Sequence, residues 1–375
     1  MKLLALSGLV LLSNWVSAHS IGAQQPISSG PSSSGTSLVE LHKTLIEHES
    51  ISGNEKNVTA YLASYLKKQG FTVELQEVTP VRHNVLAYIG EQRKTKTAIS
   101  SHLDTVPPFW PYERVGDEIW GRGSVDAKGS VAAQVKAVEE LWAAGKIAEG
   151  DVSLLFVVGE EVSGTGMIKA NDLGLSWETV IFGEPTELKL ATGHKGILSV
   201  FLTAKGKAGH SGYPELGRNA NAMLIPALYA LTTLELPWSE KYGNTTLNIG
   251  RMEGGVAGNV IAEDATAIVA LRLAAGEPEA VQKIILDAIK KTGQELDVRF
   301  TQGYGPIPID SDVKGFEKIV VNYGTDIPNL KGDHKRYLYG PGSILVAHSD
   351  HEHLSIADLE TAVEGYKTLL EHSLK

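Results

Sequence analysis

The stretch Val152–Gly166, VSLLFVVGEEVSGTG, decides how the rest of the chain is read. Val152 to Val158 is apolar apart from Ser153 and rich in β-branched residues, the signature of a strand buried on both faces. One glycine later come two adjacent carboxylates, Glu160 and Glu161. Like charges at the mouth of a buried strand are costly unless something positive sits beside them. The same arrangement recurs along the chain, in SSHLDTVP, GRGSVDAKGS, IFGEPTE and LVAHSDHEHL. Each is an apolar or glycine-containing lead-in that ends on His, Asp or Glu.

The 375 residues suit two domains, and a hydrophobic fraction of 42% supplies a full core for each. A net charge of −10 argues against nucleic acid or an anionic membrane as partner. There is no cysteine, so no thiolate nucleophile or thiolate metal site exists, and any metal must be held by His, Asp and Glu. The first residues, MKLLALSGLVLLSNWVSA, have a positive start, an apolar run too short to span a bilayer and small residues before a cleavage point. Residues 1–18 are therefore expected to be a secretory signal cut after Ala18, and the protein to be secreted. The Ser/Gly/Pro-rich residues 19–37 are expected to be a disordered linker or a pro-segment. The sequons at Asn57 and Asn244 suit glycosylation of a secreted chain.

From Leu38 strands alternate with helices, which implies an α/β domain with a largely parallel sheet. Such sheets carry their sites at the carboxyl ends of strands, where His102, Asp104, Glu160, Glu161 and Glu184 all fall. From Gly196 the order becomes β-α-β-β-α-β, that of a ferredoxin-like unit. Residues 196–304 are read as a domain inserted into a catalytic domain made of residues 38–195 and 305–375. The last part is expected to contain a strand over Ser343–Ala347 and a final helix over Ser355–Leu374.

Thiol-free nitrogen and oxygen ligands suit one or two borderline cations such as Zn²⁺, with Co²⁺ or Mn²⁺ as substitutes. Two cations would neutralise the acidic cluster. The five motifs, in this order, resemble the di-zinc metallopeptidase family of acetylornithine deacetylase, succinyl-diaminopimelate desuccinylase, aminoacylase and glutamate carboxypeptidase, over Leu38 to the C-terminus. Secreted fungal-type carboxypeptidase-like members are nearest in style. The resemblance implies two zinc ions per subunit, one held by His102 and Glu184, the other by Glu161 and His348, with Asp126 bridging both. It implies Glu160 as general base and acid, a cis Asp126–Ala127 peptide, and Asp104 orienting the His102 ring with its carboxylate. His348 is chosen over His351 and His353 because Ala347-His348 is followed four residues later by Glu352, the family pattern; the other two are expected to be exposed.

In the insert, His210 resembles a histidine that reaches the reacting carbonyl, often from a partner subunit. Asn259 and Arg272 resemble substrate-binding positions. Every one of these residues also has an ordinary reading alone: Asp126 as a helix cap, His102 as a core histidine, Glu160-Glu161 as a solvated loop, Arg272 as an ion-paired strand residue. Five coincidences in order are much harder to explain that way. The aromatics Phe109, Trp110, Tyr112 and Trp120 either select an apolar side chain or pack locally.

The function expected is hydrolysis of a peptide or amide bond by a zinc-bound water that Glu160 deprotonates. Secretion favours an exopeptidase, a carboxypeptidase first. An aminopeptidase of similar site design competes with it, and the alternative to an exopeptidase is an N-acyl-amino-acid hydrolase (aminoacylase or deacetylase). The expected partners are the peptide or N-acyl amino acid and a second copy, joined through the insert.

Overall fold

A computed structural model describes residues 37–375. The expected signal (1–18) lies outside the described residues, as does all of the expected linker except Ser37. The Ser37 hydroxyl accepts the Glu40 N–H at 3.2 Å and caps the helix Leu38–Glu47.

The catalytic sheet has six strands, in spatial order Thr72–Thr79, Arg82–Tyr88, Val152–Val157, Thr97–His102, Thr179–Gly183 and Lys335–Tyr339. The last four run parallel, and the first two form an antiparallel hairpin at one edge. Val152–Val157 sits between Arg82–Tyr88 and Thr97–His102 and is buried throughout. Alternate side chains serve opposite faces, as a strand requires. Leu154 and Phe156 join one core with the helices Leu38–Glu47, Lys56–Lys68, Lys128–Ala143 and Ile356–Ser373. Leu155 and Val157 join another, under the short helix Thr165–Ala170 and the strands Leu190–His194 and Lys318–Val321.

The inserted unit is a four-stranded antiparallel sheet, in order Thr246–Gly254, Asp264–Leu273, Gly196–Lys205 and Asp297–Phe300. The helices Ala220–Thr232 and Pro278–Lys291 share its apolar core. The β-α-β-β-α-β order is therefore present, within an α/β architecture.

Two local expectations fail. Ser343–Ala347 is a turn and not a strand. Its apolar composition does not reflect burial, since Leu345 is 81% exposed. The strand of that region is Lys335–Tyr339, which buries Tyr337, Leu338 and Tyr339. The sequence pattern predicts a helix over Val125–Ala144, but the helix begins at Lys128, because Gly123, Val125 and Asp126 turn their N–H groups toward a buried carboxylate described below. The final helix lies close to expectation, at Ile356–Ser373.

The turn after Val157 folds back tightly on its own strand. A Cβ on Gly166 would stand 2.2 Å from the Val158 carbonyl oxygen and 2.6 Å from its nitrogen. These are backbone atoms and cannot move aside. Gly166→Ala is expected to lower stability by about 1–3 kcal/mol, read as a shifted urea midpoint; an unchanged midpoint would show that the turn is looser than described.

Candidate metal centre

The carboxyl ends of the parallel strands bring the acidic and imidazole residues together. His102 ends the strand Thr97–His102 and is almost completely buried. Its Nε2 is 3.1 Å from Asp126 Oδ1 and 3.7 Å from Glu184 Oε1. Glu184 follows the strand Thr179–Gly183. On the other side of Asp126, Oδ2 lies 3.3 Å from His348 Nε2, which is 3.0 Å from Glu161 Oε2. The result is two groups, His102/Asp126/Glu184 and Asp126/Glu161/His348, each with its ligand atoms within 4.8 Å of one another. Asp126 belongs to both, offering one oxygen to each. The Asp126–Ala127 peptide is cis, as the resemblance implies.

The donor set fits a pair of divalent ions. Nitrogen and oxygen atoms 3.0–3.7 Å apart are spaced as they would be around ions bound at about 2.0–2.2 Å. Among the described residues, no lysine or arginine makes an ion pair with Asp126, Glu160, Glu161 or Glu184. Without an ion, the site relies on protons. Removal from water and the nearby Glu184 push the Glu160 carboxyl well above its usual range. Burial raises Glu184 to about 7, against the pull of His102. Hydrogen bonds to Asp126 and Glu161 lift the His348 imidazole to about 10. For His102 burial works the other way, but Glu184 and Asp126 outweigh it and hold the ring well above its usual value. Such a cluster takes up cations, and a metal must displace protons to enter.

Asp104 does not act as expected. Its carboxylate is 3.7 Å from His102 Nδ1, while its main-chain carbonyl is 2.9 Å away and holds the ring. The carboxylate is engaged by backbone. Oδ1 accepts the N–H groups of Gly159 (2.8 Å) and Glu160 (3.0 Å), and Oδ2 accepts that of Glu161 (3.2 Å) and the Ser52 hydroxyl (2.7 Å). The turn that carries both glutamates is thus wrapped around Asp104. Beside it, Arg82 pairs with the buried Glu55 at 2.5 and 2.8 Å. A Cβ on Gly159 would meet Arg82 Nη2 at 2.6 Å.

Ser52, Glu55 and Arg82 were not visible as site residues. The only signal is the turn SISGNE before a helix, and nothing in it pairs Glu55 with an arginine in a later strand. Asp326 was missed too. It is a buried carboxylate lining a small cavity with His102 and Glu184, and burial pushes it up to about 6.

The residues expected from the insert divide. Arg272 reaches the junction of the two domains. Gly324 lies there with no side chain, and a Cβ on it would be 2.4 Å from the Tyr304 hydroxyl and 3.6 Å from Arg272 Nη1. Tyr304 feels the charges of both Glu160 and Arg272. His210 and Asn259 are instead exposed on neighbouring loops of the insert, where the Ser211 N–H donates to the Asn259 carbonyl at 3.1 Å. Neither bonds to the metal groups of its own chain. His351 is exposed, but His353 is half-buried and stacks on Trp120 at 4.5 Å. Trp110 lies against Arg122 and Tyr112 packs on the main core. Three of the four loop aromatics therefore pack locally. Asn57 and Asn244 are both exposed.

Residues 192–297 match the family model described as "Peptidase dimerisation domain". The chain is 47% identical to a peptidase M20 domain-containing protein of Schizosaccharomyces pombe, over 91% of this chain and 86% of that one. It is 44% identical to a probable carboxypeptidase of Emericella nidulans, over 100% of this chain and 99% of that one. Its fold is similar to that of an M20 family metallo-carboxypeptidase from Sulfolobus solfataricus. The TM-score is 0.71 at 19% identity, covering 90% of this chain and 99% of that chain.

The hydrogen bonds into Asp104 can be tested directly. Ser52→Ala removes one bond to a charged acceptor, and a loss of about 1.5–3 kcal/mol is expected in urea unfolding of the metal-free protein. A midpoint equal to that of the parent would remove Ser52 from the network.

Proposed function

Because this chain belongs to the peptidase M20 family, a family of metal-dependent hydrolases, we propose that it is a secreted exopeptidase of the carboxypeptidase type that uses two zinc ions. The observation that carries this reading is the sharing of Asp126 between two imidazole–carboxylate groups, with Glu160 on the same turn as Glu161. His102 and Glu184 would hold one zinc ion, Glu161 and His348 the other, and Asp126 both. When bound, such ions lower the pKa of water and polarise a carbonyl.

The chain's own groups do the rest. Glu160 makes no ion pair among the described residues, so its carboxylate is free to take the proton of the attacking water and return it to the leaving nitrogen. Cations bound beside it would favour the ionised form of this buried carboxyl, the form a base requires. Asp104 fixes the main chain of residues 159–161 by accepting one N–H from each, so the backbone that carries the base does not need to be ordered during turnover. Arg272, at the domain junction beside Gly324 and Tyr304, is the cation that would read a free C-terminal carboxylate.

An N-acyl amino acid offers Arg272 the same carboxylate, so an N-acyl-amino-acid hydrolase is the second reading. His210 and Asn259, exposed and away from their own metal groups, are assigned to the cleft of a second copy, with His210 near the reacting carbonyl. A homodimer through the insert is supported by the dimerisation-domain match. The exposed Ile225 and Tyr229, one helical turn apart, and the edge strand Thr246–Gly254 offer a face for it. Secretion, with glycosylation at Asn57 and Asn244, rests on the N-terminal sequence and on the exposure of both asparagines.

The zinc-loaded protein should cleave an N-blocked dipeptide with a free C-terminus and leave its C-terminal amide intact. Cleavage of neither, with turnover of N-acetyl amino acids, would transfer the assignment to the second reading. Glu160→Gln should retain both metals and lose about 10²–10⁴-fold in kcat; a variant turning over at the parental rate would show that another group moves the proton.

A further inference from the structure

The two metal positions are built differently. His102 stands in the sheet, fully buried, with its second nitrogen held by the Asp104 carbonyl at 2.9 Å. Histidine ligands are nearly always fixed in this way, through the nitrogen that does not face the metal. His348 has no such support. Its side chain is 51% exposed, and it sits in a turn at a φ of +61°, three residues after the exposed Leu345. Among the described residues no hydrogen bond is made by its Nδ1. Its only short polar contacts are the carboxylates of Asp126 and Glu161.

Four residues later the same segment enters the core. Glu352 is completely buried. Its Oε2 accepts from Arg122 Nη1 at 2.5 Å, and its Oε1 accepts the N–H groups of Gly123 (3.0 Å), Val125 (3.2 Å) and Asp126 (3.2 Å). Three N–H groups of one loop converging on one oxygen, with that of Ser124 between them turned to the Gly121 carbonyl, form an anion-binding concavity, and here the chain supplies its own anion. The Glu352 carbonyl also accepts the Gly121 N–H at 3.4 Å. Arg122 in turn holds the Pro108 carbonyl at 3.2 Å through Nε.

We propose that Glu352 is the positioning residue of the half-exposed metal position, and that occupancy of that position depends on it. One carboxylate fixes both the main chain of the shared ligand Asp126 and the segment that carries His348. The buried position is less dependent, because His102 and Glu184 are placed by two strands of the sheet. A buried carboxylate with four donors cannot be removed without leaving those donors unpaired. Residues 343–347 keep their own anchors, Ser343 on Thr186 and Glu187 and the side chains of Val346 and Ala347 on the main core, so any relaxation falls first on residues 348–351, which carry His348.

This inference rests on the two-ion reading above, and zinc titration with metal analysis separates the two. The parent should bind two ions in two resolved steps. Glu352→Gln keeps the volume but sets an amide against Arg122; it should bind the first ion as the parent does and the second at least tenfold more weakly. Glu352→Ala should hold one ion, and so should His348→Ala. Far-UV circular dichroism establishes that each variant is folded, and Glu352→Gln carries the test if the alanine variant is not. A folded Glu352→Gln that binds the second ion within twofold of the parent overturns the proposal. Equal weakening of both ions also overturns it, by showing a merely structural role. A parent that binds a single ion defeats the two-ion reading itself, and the inference falls with it.

Discussion

One carboxylate with two addresses organises this molecule. Asp126 directs one oxygen to His102 and the other to His348, and those histidines are 246 positions apart in a chain that passes through a second domain between them. A parallel sheet makes this convergence possible, because its strands all end on the same edge. It also concentrates Asp126, Glu160, Glu161 and Glu184 where water is scarce. No lysine or arginine pairs with any of the four among the described residues, so the arrangement is complete only with cations added. The energetic cost of assembling the acids is the source of their affinity for divalent ions.

Most of the site was legible in the sequence because strand ends are marked by composition. An apolar run, one glycine or a short polar step, then His or a carboxylate, is a local pattern, and it located His102, Glu160, Glu161 and Glu184; Asp126 and His348 stand in turns, and the family resemblance singled them out. The supporting residues were hidden for a different reason. Asp104 was seen, but its side chain was assigned to the wrong partner: sequence spacing places it on the same side as His102, and spacing carries no information about the N–H groups of residues 159–161 that compete for it. Ser52, Glu55 and Arg82 form their contacts with residues 27 to 52 positions away. In the fold, the period of aliphatic residues gave the buried strand Val152–Val157 correctly and failed at Ser343–Ala347. There Leu345 faces solvent and Val346 and Ala347 are only partly buried, while the true strand is carried by the buried tyrosines Tyr337 and Tyr339.

The support of the catalytic turn is a nested set of anions and N–H groups. Asp104 gathers the N–H groups of residues 159–161, and Glu352 gathers those of residues 123, 125 and 126. The two carboxylates solve the same problem. A ligand on a loop has no helix or sheet to fix its backbone, and a buried carboxylate can satisfy several otherwise orphaned donors at once. The ligating loops are therefore held from within, by hydrogen bonds that do not use the metal-binding atoms. Those atoms remain available, and the geometry is largely set before any ion arrives.

The insert joins the rest of the chain where its two crossings run side by side. The two chain crossings bond each other, Ile197 N–H to the Tyr304 carbonyl and Tyr304 N–H to the Ile197 carbonyl, both at 3.0 Å. A Cβ on Gly196 would meet the Tyr304 carbonyl oxygen at 2.1 Å, and one on Gly303 the Ile197 carbonyl oxygen at 2.6 Å. Close backbone packing of this kind leaves little freedom between Arg272 on the insert and Gly324 on the catalytic domain. On the proposed reading, the separation between the carboxylate reader and Glu160 is then a property of the fold. A substrate whose carboxylate is bound by Arg272 can present only the bond at one fixed distance from that end. Such a fixed separation is what the proposed exopeptidase requires, and an N-acyl amino acid, with its carboxylate next to the scissile amide, meets the same requirement.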